Sequence, residues 1–267
     1  MGQYHKFMNF DKKEVIEPSG FCKLMEWSYQ GNDYVCAVEK LLKNEWKGDR
    51  ILVVGDYVDE SYDDYKFGKL LEDIRKENSN YNINNIYWYP YKELKQNSIE
   101  ATPTRYIYNH AKKQYIDIKK QPIQWCGYDE KHKEVYGAKI HPLSLMLSCS
   151  NGHGGGDYGG KDYEKVGLWC GDSSQIELSN EKLENDYMEL KVTFDEYEHK
   201  RSTKDLLVEA LYEHFNKDNM DKLSKVKFSS NLLLSDAEKS KIIGEVKEAI
   251  LNFSKDIQVK DDIELEK

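Results

Sequence analysis

Residues 151–160 read Asn-Gly-His-Gly-Gly-Gly-Asp-Tyr-Gly-Gly, with six glycines in ten positions. Glycine loses more conformational freedom on folding than any other residue, so such a cluster works against regular structure. It is tolerable where the backbone takes positive φ or runs close to a ligand. The segment is therefore expected to face a ligand through Asn151, Gly152, His153, Gly154, Gly155, Gly156, Asp157 and Tyr158. The plainer alternative is a solvent loop built on Asx-type turns.

The known phosphate cradles do not fit these residues. A P-loop needs Lys-Ser or Lys-Thr after its last glycine, and neither follows here. In the dinucleotide fingerprint a glycine stands where this chain has Asp157, and a helical pattern follows that is missing here. What remains is a nest of backbone N–H groups able to hold an anion. Asn151, Asp157 and Asp162 carry oxygens of the kind Ca²⁺ or Mg²⁺ takes, but the calcium nonapeptide is half met and occurs once. His141 and His153 lack a third ligand at zinc spacing. No metal is assigned, and no cofactor follows from the residues. Ser148, Cys149 and Ser150 lie near His141 and His153 in sequence, yet no Gly-x-Ser-x-Gly elbow is present.

A Gly-Asp pair recurs at 48–49, 55–56, 156–157 and 171–172. Asp56 follows the most apolar run of the chain, Arg50 to Val54, which reads as a buried strand. Strand ends in open α/β sheets face ligand crevices, so Asp56 and His141 are grouped with the glycine segment as one candidate ligand site. A carboxylate at Asp56 equally suits a turn cap.

Further elements follow from hydrophobic spacing. Residues 1–12 read as an edge strand or tethered arm. Helices are expected over 32–45 and 63–77, and a short strand over Ile86–Tyr89. A hairpin is expected at 105–109 and 114–118, and a strand pair or long loop over 119–139. Short strands are expected at Val166–Cys170, Gln175–Leu178 and Met188–Phe194. Two capped helices then begin at Ser202 and Ser235, their apolar stripes spanning 202–216 and 235–253. The fold class is α+β: a mixed or antiparallel central sheet with flanking helices over 1–200, and a helical part over 201–267.

Composition limits the function classes. The 267 residues carry a formal charge of −9 and show no basic stripe, which argues against general nucleic-acid binding. Twenty tyrosines and five tryptophans supply enough large side chains to argue against disorder. No run of eighteen apolar residues marks a membrane span, and the N-terminus lacks a signal-peptide h-region. The five cysteines are odd in number and at least fourteen residues apart, so reduced thiols in a cytoplasmic protein are expected.

Several segments together resemble a known family. They are Met-Gly-Gln-Tyr at 1–4, Asn9-Phe-Asp-Lys12, Lys23-Leu-Met-Glu26 and the run Trp46-Lys-Gly-Asp-Arg-Ile-Leu-Val-Val-Gly-Asp-Tyr57. Tyr108-Asn-His-Ala-Lys-Lys-Gln-Tyr115, His141-Pro-Leu143 and Asn151-Gly-His-Gly-Gly-Gly-Asp-Tyr158 follow in order. Over residues 1–172 the chain is similar to a family of uncharacterised proteins of phages, bacteria and some fungi. The family has no assigned activity. The resemblance implies a shared body that holds the Trp-x-Gly-Asp-Arg-Ile strand and the glycine segment, and a phage origin would imply a counter-defence role.

The resulting expectation is a protein that binds a small anionic or nucleotide-like ligand. In one alternative the helices at 202–216 and 235–253 bury their stripes against a host protein or a second copy. In another, Asp49, Asp56 and Asp157 serve a metal-assisted hydrolase.

Overall fold

The computed structural model describes residues 3–19, 23–58, 69–77, 83–96, 104–129, 133–149, 157–183, 186–197 and 202–265. Twelve strands are described: β1 His5–Asn9, β2 Glu14–Ile16, β3 Ile51–Gly55, β4 Lys92–Leu94, β5 Tyr106–Asn109, β6 Gln114–Asp117, β7 Ile123–Asp129, β8 Glu134–Lys139, β9 Ser148–Cys149, β10 Ile176–Ser179, β11 Met188–Glu189 and β12 Lys227–Phe228. The α-helices are α1 Leu24–Trp27, α2 Asp33–Lys43, α3 Lys69–Glu77, α4 Pro142–Met146, α5 Thr203–His214 and α6 Asp236–Leu265. Three open sheets with flanking helices make this an α+β fold.

The chain divides into two compact units. The first comprises residues 1–121 and 140–198, the second 122–139 and 199–267. This division departs from the expected boundary near residue 200: the β7–β8 hairpin groups with the C-terminal residues rather than with the body that surrounds it in sequence.

The first unit is built on the sheet β4-β2-β1-β3-β9. β3 runs antiparallel to β1, with His5 opposite Gly55, and parallel to β9, with Val54 opposite Cys149. Its continuous apolar run is explained by two-sided burial. Ile51 and Val53 join one core with Phe7, Trp27 and Tyr34, while Leu52 and Val54 join another with Met8, Leu70 and Ile74. β1 is thus an interior strand, buried along its length, not the edge strand or arm expected for residues 1–12. Tyr34 on α2 ties the layers together: its hydroxyl donates to the Ile16 carbonyl at 2.7 Å and accepts from the Phe7 N–H at 2.9 Å.

A second sheet of this unit, β10-β5-β6-β11, carries the expected hairpin. Two short strands expected from sequence take other forms. Ile83–Trp88 is a 3₁₀ helix, and the 166–170 stretch is turns leading into another over Cys170–Gln175.

In the second unit, β12-β8-β7 forms a three-stranded sheet. Ile123 and Val135 from the hairpin meet Leu207 and Leu211 of α5 and Ile242, Val246 and Ile250 of α6 in one core. The capping box at Ser202 forms as expected, with Ser202 and Asp205 exchanging side-chain and backbone bonds. Ser235 and Glu238 do the same for α6.

Candidate functional site

The start of β1 and the ends of β3 and β9 meet at one edge of the first sheet, as their pairing requires. Asp157, where the described chain resumes after β9, comes to this edge. Its Oδ1 lies 3.5 Å from His5 Nε2, with both side chains buried. Residues 150–156, which include Asn151, Gly152, His153, Gly154, Gly155 and Gly156 of the expected site, lie outside the described residues.

His5 is fully buried. Neither ring nitrogen makes a well-formed hydrogen bond among the described residues, although the Gln3 backbone lies close enough to favour the protonated form weakly. Burial dominates and lowers the imidazole pKa to about 3. The ring is therefore neutral at physiological pH, and its contact with Asp157 is imidazole to carboxylate rather than an ion pair. Gly55, opposite His5, is glycine for a steric reason. A Cβ there would collide with the Gln3 side-chain amide and reach within 3.0 Å of His5 Nε2.

Asp56 sits at the same edge and takes the role of a cap. Its Oδ1 accepts the Tyr4 N–H at 2.9 Å, and its own N–H donates to the Tyr4 carbonyl at 2.9 Å. Lys6 is held elsewhere, by Glu17 at 2.7 Å and over the Tyr87 ring at 4.1 Å. The described groups at this edge thus offer hydrogen-bond acceptors rather than free cations.

Two other expected site residues make internal contacts. Tyr158 is buried against Phe194; its hydroxyl donates to the Lys161 carbonyl and accepts the Asp195 N–H at 3.0 Å. Burial, above all, raises its phenol pKa well beyond the usual range. The described end of the glycine segment packs tightly here as well, because a Cβ on Gly160 would strike the Asp195 carbonyl. His141 pairs with Glu39 of α2, Nε2 to Oε1 at 2.8 Å, with both residues buried. Burial pushes the Glu39 carboxyl up, but the hydrogen bond and charge of His141, aided by Thr104, hold it below its usual range.

The hydrolase arrangement is not assembled. Asp49 and Asp56 flank β3, about 20 Å apart at strand rise. Asp49 is engaged by Lys12 and by Asn9 Nδ2, the latter at 2.8 Å. Among the described residues no three His, Cys, Asp or Glu side chains form a metal-holding group. Cys149 is a packing group: complete burial, reinforced by neighbouring Cys170, pushes its thiol far above the range in which a thiolate forms. A cleft of about 310 Å³ is lined by Ile16, Ala37, Leu41 and Leu94 with Lys40, Glu45 and Lys95, a lining without histidine, cysteine or aspartate.

His5 and Gln3 were missed from the sequence because residues 1–12 read as peripheral. Their signal was the presence of polar residues directly before the apolar stretch that begins at Phe7. No protein-family model matches the chain, and no curated protein and no solved structure is similar enough to lend it a role.

Proposed function

We propose that the protein binds a small hydroxyl-bearing, nucleotide-like ligand at the sheet edge formed by His5, Gly55 and Asp157. One observation carries this reading: a fully buried, neutral histidine, without a well-formed hydrogen bond among the described residues, stands beside a buried carboxylate. Leaving such a group unsatisfied costs about 1–3 kcal/mol, a cost that a ligand hydroxyl bonded to it removes. Asp157 and the His5 ring accept the hydroxyls of the ligand. Its anionic part falls to the backbone N–H groups of the glycine segment, the role their composition suggests. In the phage setting implied by the family resemblance, this binding would sequester a nucleotide signal.

Thermal shift with a panel of nucleotides and sugars tests the proposal. A ligand that raises the melting temperature of the wild type should have no effect on Asp157→Ala or Gly155→Val, both still folded. An equal shift in all three proteins would remove the reading.

Leu207, Leu211, Ile242, Val246 and Ile250 of α5 and α6 are buried within their own unit, whereas Leu251 is exposed, so the inward-facing part of the stripes does not favour the helical-partner alternative.

A further inference from the structure

A third histidine–carboxylate pair, this one open to solvent, includes a tyrosine. The turn after β5 carries His110, β10 carries Glu177, and Tyr187 stands just before β11. His110 Nε2 lies 2.8 Å from Glu177 Oε2, and His110 Nδ1 lies 2.5 Å from the Tyr187 hydroxyl. The His110 and Glu177 side chains are 31% and 33% exposed, unlike the sealed His141–Glu39 pair, so an outside reagent can reach them.

The donors can be assigned by elimination. A carboxylate only accepts, so His110 Nε2 carries the proton shared with Glu177. In a neutral imidazole, Nδ1 is then the acceptor and the Tyr187 O–H is the donor. This is the relay logic of a nucleophile, a base and an orienting carboxylate, with a phenol as the nucleophile. The ring is held firmly, edge-on to Tyr108 at 5.1 Å. Lys113 Nζ stands 5.0 Å from its centroid, a cation at hand for an anionic reagent. The sequence Tyr108-Asn-His-Ala-Lys-Lys that builds this turn belongs to the family resemblance but has no part in the ligand site at His5.

We propose that Tyr187 is a nucleophile toward electrophilic phosphoryl groups, with His110 as its base and Glu177 positioning His110. The phenol oxygen bonds to phosphorus, the leaving group departs with the electron pair of its bond, and the phenolic proton passes to His110 Nδ1.

Labelling the full chain with a fluorophosphonate, followed by peptide mass spectrometry, tests this. Here fluoride is the leaving group. Tyr187 should be modified well before Tyr4 and Tyr197, which are more exposed at 47% and 63%. Tyr187→Phe should lose that adduct. His110→Gly should slow labelling by roughly tenfold or more, as loss of a general base does, and added imidazole should restore it. Glu177→Gln should slow labelling without loss of fold, while Lys112→Ala should leave it unchanged. The proposal is overturned if Tyr187 labels no faster than Tyr4 or Tyr197, if Glu177→Gln labels at the wild-type rate, or if imidazole fails to rescue a folded His110→Gly.

Discussion

At the scale of single residues, the candidate site depends on steric and electrostatic details around His5. Gly55→Ala places a methyl group against the Gln3 amide and the His5 ring. Overpacking of this kind costs about 1–3 kcal/mol, so urea melts should show that loss together with loss of ligand-induced stabilisation. The pH dependence follows from burial of the imidazole. His5 holds its proton only below about 3 when folded, against an ordinary value of 6.5 when unfolded. Between those values the unfolded chain binds the extra proton, so stability is complete above pH 6.5 and falls as the solution is acidified. The slope is at most about 1.4 kcal/mol per pH unit. Glu39, held below its usual range, adds loss in the same direction at lower pH. Denaturant midpoints at pH 7 and pH 5 should differ in the wild type and converge in His5→Phe; an unchanged difference in the variant would assign the effect elsewhere. The glycine context singled out Asp157, but not its contact with His5. The true partners of His141 and Tyr158 were not legible either, since Glu39 lies 102 positions from His141 and Asp195 lies 37 from Tyr158.

At the scale of elements, Tyr34 shows how one side chain joins a helix to two strands. Tyr34→Phe removes the acceptor of the Phe7 N–H and the donor to the Ile16 carbonyl, leaving two buried backbone groups unsatisfied. A loss of about 1–3 kcal/mol is expected in equilibrium denaturation. Elements governed by local rules were readable from the sequence. Asn32 caps α2 by accepting the Tyr34 N–H at 3.0 Å, and both serine capping boxes form where their spacing placed them. Elements governed by tertiary partners were not. The interior position of β1 depends on pairing with β3 across more than forty residues. The aromatic run at Ile86–Tyr89 has the composition of a strand, yet it coils into a 3₁₀ turn that buries Ile86 and Tyr87.

At the scale of the whole molecule, the hairpin 122–139 and the C-terminal residues form one compact unit. Cutting the chain after residue 198 would strip the cover from Ile123 and Val135, which share a core with α5 and α6. That truncation should lower solubility and melting temperature. Removing 122–139 as well, with a short linker from Gln121 to Ile140, should restore a soluble first unit with a cooperative melt. A stable protein from the simple truncation would contradict the division into these units. The sequence pointed to the helical end but not to its hairpin, because nothing local distinguishes a strand pair that packs on distant helices from one that joins the preceding sheet.

Native mass spectrometry of freshly purified protein, compared with Asp157→Ala, tests the ligand site most directly. The wild type should carry an added mass in the range of a nucleotide, released on denaturation and missing from the variant. A bare mass for the wild type, or the same added mass on both proteins, would contradict a ligand held by His5 and Asp157.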